Sequence, residues 1–131
     1  MVKKMMIACA AAVAMMATGN PALAHHSANA EFDTQKEFTI SGTLTKLENV
    51  NPHSWWYVDV KGADGKVTTW KLESLSPAGL IRQGLKVKTD LKIGGVYSYR
   101  ISPDWKDPEG VKMGFMRSIT VDGKEYVVVE L

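Results

Sequence analysis

Downstream of residue 36 the apolar positions alternate with polar ones, two residues to the repeat, and break at short clusters of Gly, Asn, Asp and Pro. In residues 37–48, Phe38, Ile40 and Leu44 point one way and Thr39, Ser41, Thr43 and Thr45 the other, the period of a half-buried strand. Gly42 inside that run predicts a bend or bulge. Asn49 to His53 is a turn cluster, and residues 54–61 form a second strand with Trp56, Val58 and Val60 on one face and Trp55, Tyr57 and Asp59 on the other. The Asp64-Gly65 pair closes a hairpin onto a third strand, residues 67–73, whose Trp70 and Leu72 are expected to share the core with Trp56 and Val58. One short helix follows: Ser76 caps it, Pro77 suits its first turn, and Gly84 ends it. Two further strands are predicted at residues 96–101 and 113–121, with a last one at 125–130 after the Asp122-Gly123 turn.

This order, three strands, a helix and then two or three strands, predicts an all-β domain with one short helix, a small five- to six-stranded OB-like barrel. Closure would remove the sheet edges that a small β domain must otherwise protect. The competing arrangement is an open meander or small sandwich of the same strands.

The first 24 residues have another pattern. Lys3 and Lys4 precede an uncharged apolar run of about 13 residues, and Ala22-Leu23-Ala24 supplies the small residues of a cleavage site. A bilayer-spanning helix needs roughly 20 apolar residues, so the expectation is a cleaved signal peptide (1–24), export to a periplasm, and no membrane insertion after processing. The mature chain then divides into an N-terminal arm (25–36), with Phe32 as its one large apolar side chain, and the β domain (37–131). Cys9, the single cysteine, lies inside the apolar run, too early for a lipidation site, so the mature chain has no thiol, disulfide or thiolate ligand.

Charge narrows the partners. All 14 acidic residues lie beyond residue 24, and two of the 16 basic ones are Lys3 and Lys4, which leaves 14 against 14. A balanced surface argues against nucleic acid, which asks for a basic stripe, and offers no polybasic patch to a membrane.

His25-His26-Ser27, then Ala30-Glu31-Phe32-Asp33, Gly42-Thr43, Asn51-Pro52-His53 with Trp55, and Asp64-Gly65-Lys66 together resemble a family of small exported proteobacterial proteins of unknown function. The resemblance implies a periplasmic location and a single small β domain, and it carries no catalytic residues.

The three histidines are the candidates for metal chemistry. Cleavage after Ala24 gives His25 a free α-amine which, with its own imidazole, can chelate one ion. His26 adds a neighbouring imidazole, and His53 is the candidate third. Nitrogen-rich sets of this kind favour Cu(II) among the divalent first-row metals. The plainer alternative is a solvated terminus and a histidine closing a turn. A second candidate is an aromatic ligand-binding face of Trp55, Tyr57 and Trp105, able to stack on a small ligand or partner. Its alternative is that Phe32, or Tyr126 and Val128, covers those rings. Asp104, Asp107 and Glu109 match no EF-hand spacing and read as solvating charges. No phosphate loop, G-x-S-x-G or H-E-x-x-H motif is present, and a copper oxygenase built on His25 is the only coherent enzyme idea. The expectation is therefore a non-catalytic binding or accessory protein.

Overall fold

A computed structural model of the chain describes residues 28–106 and 112–130. It contains strands β1 (Phe38–Val50), β2 (His53–Lys61), β3 (Val67–Leu75), β4 (Val96–Pro103), β5 (Lys112–Val121) and β6 (Lys124–Val127). Two short helices, α1 (Pro77–Arg82) and α2 (Val87–Asp90), lie between β3 and β4.

The strands form one sheet in the order β3-β2-β1-β4-β5-β6, and a parallel pairing of β3 with β5, from Trp70↔Lys112 to Glu73↔Phe115, joins its far sides. That pairing closes β1-β2-β3-β5-β4 into a five-stranded barrel, with β6 as an extra strand on β5. Strand order, closure and the helix between β3 and β4 make it an OB-like barrel. The open meander is excluded by the β3–β5 ladder.

The two-residue period decides the core. Trp56 and Val58 of β2, Leu72 of β3, Leu44 of β1, Tyr99 and Ile101 of β4, and Met116 and Ile119 of β5 are buried in one cluster. Leu80 of α1 and Leu85 join it. Ser76 caps α1 by accepting from Gly79 N at 3.3 Å, and Gly84 takes a positive φ of 91° just past the helix end, the left-handed conformation that glycine adopts without strain. Trp70 is only partly buried. It packs against the cluster and meets the half-exposed Phe38 edge-on at 5.8 Å.

Two local expectations are corrected. The irregularity in β1 falls between Leu44 and Lys46, not at Gly42. Gly42 serves close approach instead, since a Cβ there would collide with the Asp59 carbonyl oxygen on β2. Helix α2, a single turn, was not predicted. It carries no buried residue, so its sequence has no apolar stripe to read.

The arm is a packed element. Residues 28–31 make a helical turn, and Phe32, 1% exposed, bridges to Asp104 and packs its ring 5.5 Å from that of Phe115. Asp33 N donates to Pro103 O at 2.8 Å, and the buried Arg117 reaches Thr34 O at 3.4 Å and Ser102 Oγ at 3.0 Å. At the other terminus β6 ends earlier than predicted, at Val127. Val128 N and Val129 N both donate to Arg117 O, and Val128 turns into the core. Arm and tail together cover the outer side of β5, which explains its burial on both faces.

Candidate functional site

The Asp64-Gly65 turn sets the register of β2 on β3, so that His53 faces Leu75, Trp55 faces Glu73 and Tyr57 faces Lys71. On the other side β1 sets Glu48 against Trp55 and Lys46 against Tyr57. With Trp56 and Val58 turned inward, the outer face of the barrel carries Trp55 and Tyr57 as neighbouring half-buried rings. Lys71 Nζ lies 4.4 Å from the Trp55 ring centre and 5.8 Å from that of Tyr57, and Lys46 Nζ lies 5.1 Å from the Tyr57 ring centre. These are cation–π distances. Tyr57 Oη donates to Glu48 Oε2 at 3.1 Å, and Lys46 pairs with the same carboxylate. The hydrogen bonds from Lys46 and then Tyr57 hold the Glu48 carboxyl below its ordinary value, and the Glu48 bond holds Lys46 above its own. Thus two lysines, not Phe32 or the C-terminal segment, lie over the aromatic pair.

At the end of this face, where the Asn51-Pro52 turn opens into β2, His53 Nδ1 lies 2.9 Å from Glu73 Oε1. The imidazole is 47% exposed while the carboxylate is nearly buried, 10% exposed. Burial pushes the Glu73 carboxyl up, the charge of His53 opposes that, and the charge of Glu31 on the arm adds to it. With Nδ1 held by the carboxylate, Nε2 is the nitrogen that His53 has left for a ligand.

The loop after β4 comes to the same region through the arm. Trp105 Nε1 donates to Asn29 O at 3.0 Å and Trp105 N to Glu31 O at 3.2 Å, yet the indole is 56% exposed. One stretch of arm, residues 29–32, therefore touches Trp105, acts on Glu73 and fills the space against Phe115. Glu73 pairs with Phe115 across the β3–β5 seam, which fixes why these contacts coincide.

Of the residues singled out from sequence, Trp55 and Tyr57 come together on one face, His53 stands at its end, and Trp105 is tied to the arm. His25 and His26 lie outside the described residues, as do Asp107 and Glu109. Among the described residues no three His, Cys, Asp or Glu side chains gather as a metal site, and no helix is long and apolar enough to cross a membrane. Lys71, Glu73 and Glu31 were missed. Alternation with Trp70 and Leu72 puts Lys71 and Glu73 on the outer face, and the Asp64-Gly65 turn sets their partners, so that signal was present. Nothing in the arm's sequence announced where Glu31 docks.

Residues 12–114 match the model of a family of unknown function (DUF6152). No match was found among curated proteins. Among solved structures the chain is similar to the mitochondrial single-stranded DNA binding protein Rim1 of S. cerevisiae, with a TM-score of 0.51 and 7% identity over 66% of this chain and 93% of that one. At that identity the likeness is one of fold, and it agrees with the closed barrel.

Proposed function

The chain belongs to the DUF6152 family, and we propose that it is an exported, non-catalytic binding module whose ligand seats on the outer face of β2 and β3. The observation that carries this is Lys71 lying against both Trp55 and Tyr57 on that face. OB-type barrels use this surface, with the flanking loops between the first two strands and between the fourth and fifth, as their ligand platform. Here those loops supply His53 at one and Trp105 at the other. A bound molecule with a flat apolar side can stack on the rings, while Lys71 and Glu48 offer a donor and an acceptor to its polar rim.

The barrel neighbour in yeast mitochondria is named for binding single-stranded DNA. For this chain a neutral ligand is favoured, because Lys46, Lys61 and Lys71 are balanced by Glu48, Asp59 and Glu73 on the same strands, and a polyanion asks for a net positive groove. Export is part of the proposal: it rests on the basic, apolar and small-residue order of residues 1–24. Protein recovered from a periplasmic fraction should have the mass of a chain that begins at His25.

The face itself is tested by backbone-amide NMR titration of that processed protein with a neutral oligosaccharide, a short extended peptide, and oligothymidylate as the polyanion control. Shifts should gather at Trp55, Tyr57 and Lys71 with an uncharged probe. Trp55→Ala should weaken that binding by about tenfold or more, since one stacked ring is worth roughly 1–3 kcal/mol. Shifts centred elsewhere, or binding by oligothymidylate alone with steep salt dependence, would overturn it.

A further inference from the structure

We propose that the ligand of the β2–β3 face is a neutral, extended oligosaccharide lying along β2 from His53 to Asp59, with Lys71 as the residue that selects it over a purely apolar ring. This deepens the reading above and rests on it, because it takes the same two rings as the seat.

The length of the face is the first observation. Trp56 and Val58 are sealed in the core, so His53, Trp55, Tyr57 and Asp59 follow one another on the outside of β2, each exposed or half-buried. At about 3.3 Å per residue that line runs about 20 Å, more than one sugar ring can cover. The two aromatic rings stand at its middle, with a polar side chain at either end.

The polar groups beside the rings are the second observation. Across the strands Trp55 has Glu48 and Glu73 for neighbours, Tyr57 has Lys46 and Lys71, and Asp59 has Thr69. An acidic row, a basic row and a second acidic position therefore alternate along the line, and an ion of either sign meets a like charge wherever it lies. These groups are also held in place. Tyr57 Oη donates to Glu48 at 3.1 Å, Thr69 Oγ1 donates to Asp59 Oδ1 at 2.6 Å, and Glu73 fixes His53 at 2.9 Å. Carboxylates only accept and ammonium groups only donate, whereas a hydroxyl does both. A sugar ring, apolar on its C–H face and hydroxylated at its rim, matches this pattern of rings and alternating acceptors and donors without bringing a charge.

Backbone pairing disfavours an extended peptide. Peptides that bind as added strands need an open sheet edge, and β2 is paired to β1 from His53 to Asp59 and to β3 from His53 to Lys61. Lys71 sharpens the choice further. Its ammonium lies 4.4 Å from the Trp55 ring centre, so a stacking ligand must move it to the ring edge. An apolar ring offers the displaced ammonium nothing, while a sugar offers it hydroxyl oxygens.

The test is backbone-amide NMR titration with glucose, with linear gluco-oligosaccharides up to the hexasaccharide in the β-1,4 and α-1,4 series, and with a proline-rich peptide. Affinity should rise with length, a second stacked ring adding roughly five- to tenfold, and shifts should reach His53 and Asp59 only with the longer chains. Lys71→Met, which keeps the apolar stem over the rings, should weaken the oligosaccharides about fivefold, the loss of one hydrogen bond. It should leave indole, a flat probe without hydroxyls, bound no more weakly. The amide spectrum of the variant confirms that it keeps the barrel. Glucose bound as tightly as the hexasaccharide, oligosaccharide affinity unchanged in Lys71→Met, or no shift at the face with either series would overturn the proposal. Shifts at Trp55 and Tyr57 with the peptide alone would overturn it too, yet leave the face as a binding surface. Shifts gathered away from those rings with every probe would sink both.

Discussion

Trp56 is the largest side chain sealed in the core, and its one polar atom is answered locally. Its Nε1 donates to Ser54 Oγ at 2.9 Å, and Ser54 Oγ donates to Leu75 O at 2.6 Å, so one hydroxyl satisfies an indole and a strand-end carbonyl. Ser54→Ala leaves that buried indole N–H without a partner and should cost about 1–3 kcal/mol in urea unfolding. Tyr99 is the opposite case: it is fully buried, edge-on to Trp56 at 6.4 Å, and its hydroxyl has no hydrogen-bond partner among the described residues. Burial raises its phenol above the ordinary 10.0. The folded chain thus keeps a proton that the unfolded chain releases above about pH 10, and stability falls as pH rises there, by up to about 1.4 kcal/mol per unit. Tyr99→Phe should remove that slope and be neutral or stabilising by about 1 kcal/mol near pH 8, read from urea midpoints at the two pH values. At this scale the sequence was informative where alternation alone assigns a side chain to a face, as for Trp55, Trp56 and Tyr57. Alternation also puts Glu73 on the outer face, but the His53–Glu73 contact itself was not legible, because it depends on the third strand continuing past Glu73 to set Leu75 opposite His53.

Among the elements, the arm departs most from its sequence. Its residues are small and polar apart from Phe32, a composition shared by solvated termini, and only the barrel surface it meets turns it into a packed piece. The contacts that hold it, to Pro103, Trp105, Phe115 and Arg117, come from residues some 70 to 85 positions away, beyond the reach of any local pattern. Phe32→Ala should destabilise the protein by about 3–5 kcal/mol and, by releasing the turn at residues 28–31, make Trp105 fluorescence more open to acrylamide quenching. Stability and quenching unchanged from wild type would mean that the arm does not pack as described. The hairpin of β2 and β3 and helix α1, by contrast, were legible almost to the residue. Asp64-Gly65, Ser76-Pro77 and Gly84 each carry a local conformational requirement that tertiary context did not alter. The bulge was misplaced because two different needs, backbone crowding and an extra residue, both attract attention to a glycine in a strand, and only Gly42's crowding against Asp59 was real.

For the whole molecule, strand order predicted the barrel, while the closing ladder between β3 and β5 had no sequence signal of its own. It joins strands some 40 residues apart and in parallel, a pairing that no turn can announce. That same closure gives the candidate site its form. It places Glu73 beside Phe115, so the arm that packs on Phe115 also borders the His53–Glu73 pair, and the arm from residue 28 on, the first turn and the loop after β4 converge at one end. The central claim is that the outer face of β2 and β3 around Trp55, Tyr57 and Lys71 is a ligand-binding surface. Backbone-amide NMR titration with a neutral oligosaccharide, with the Trp55→Ala variant beside the wild type, tests it most directly. The account predicts shifts gathered at Trp55, Tyr57 and Lys71 that the variant loses. Shifts centred elsewhere, or unchanged in the variant, would contradict it.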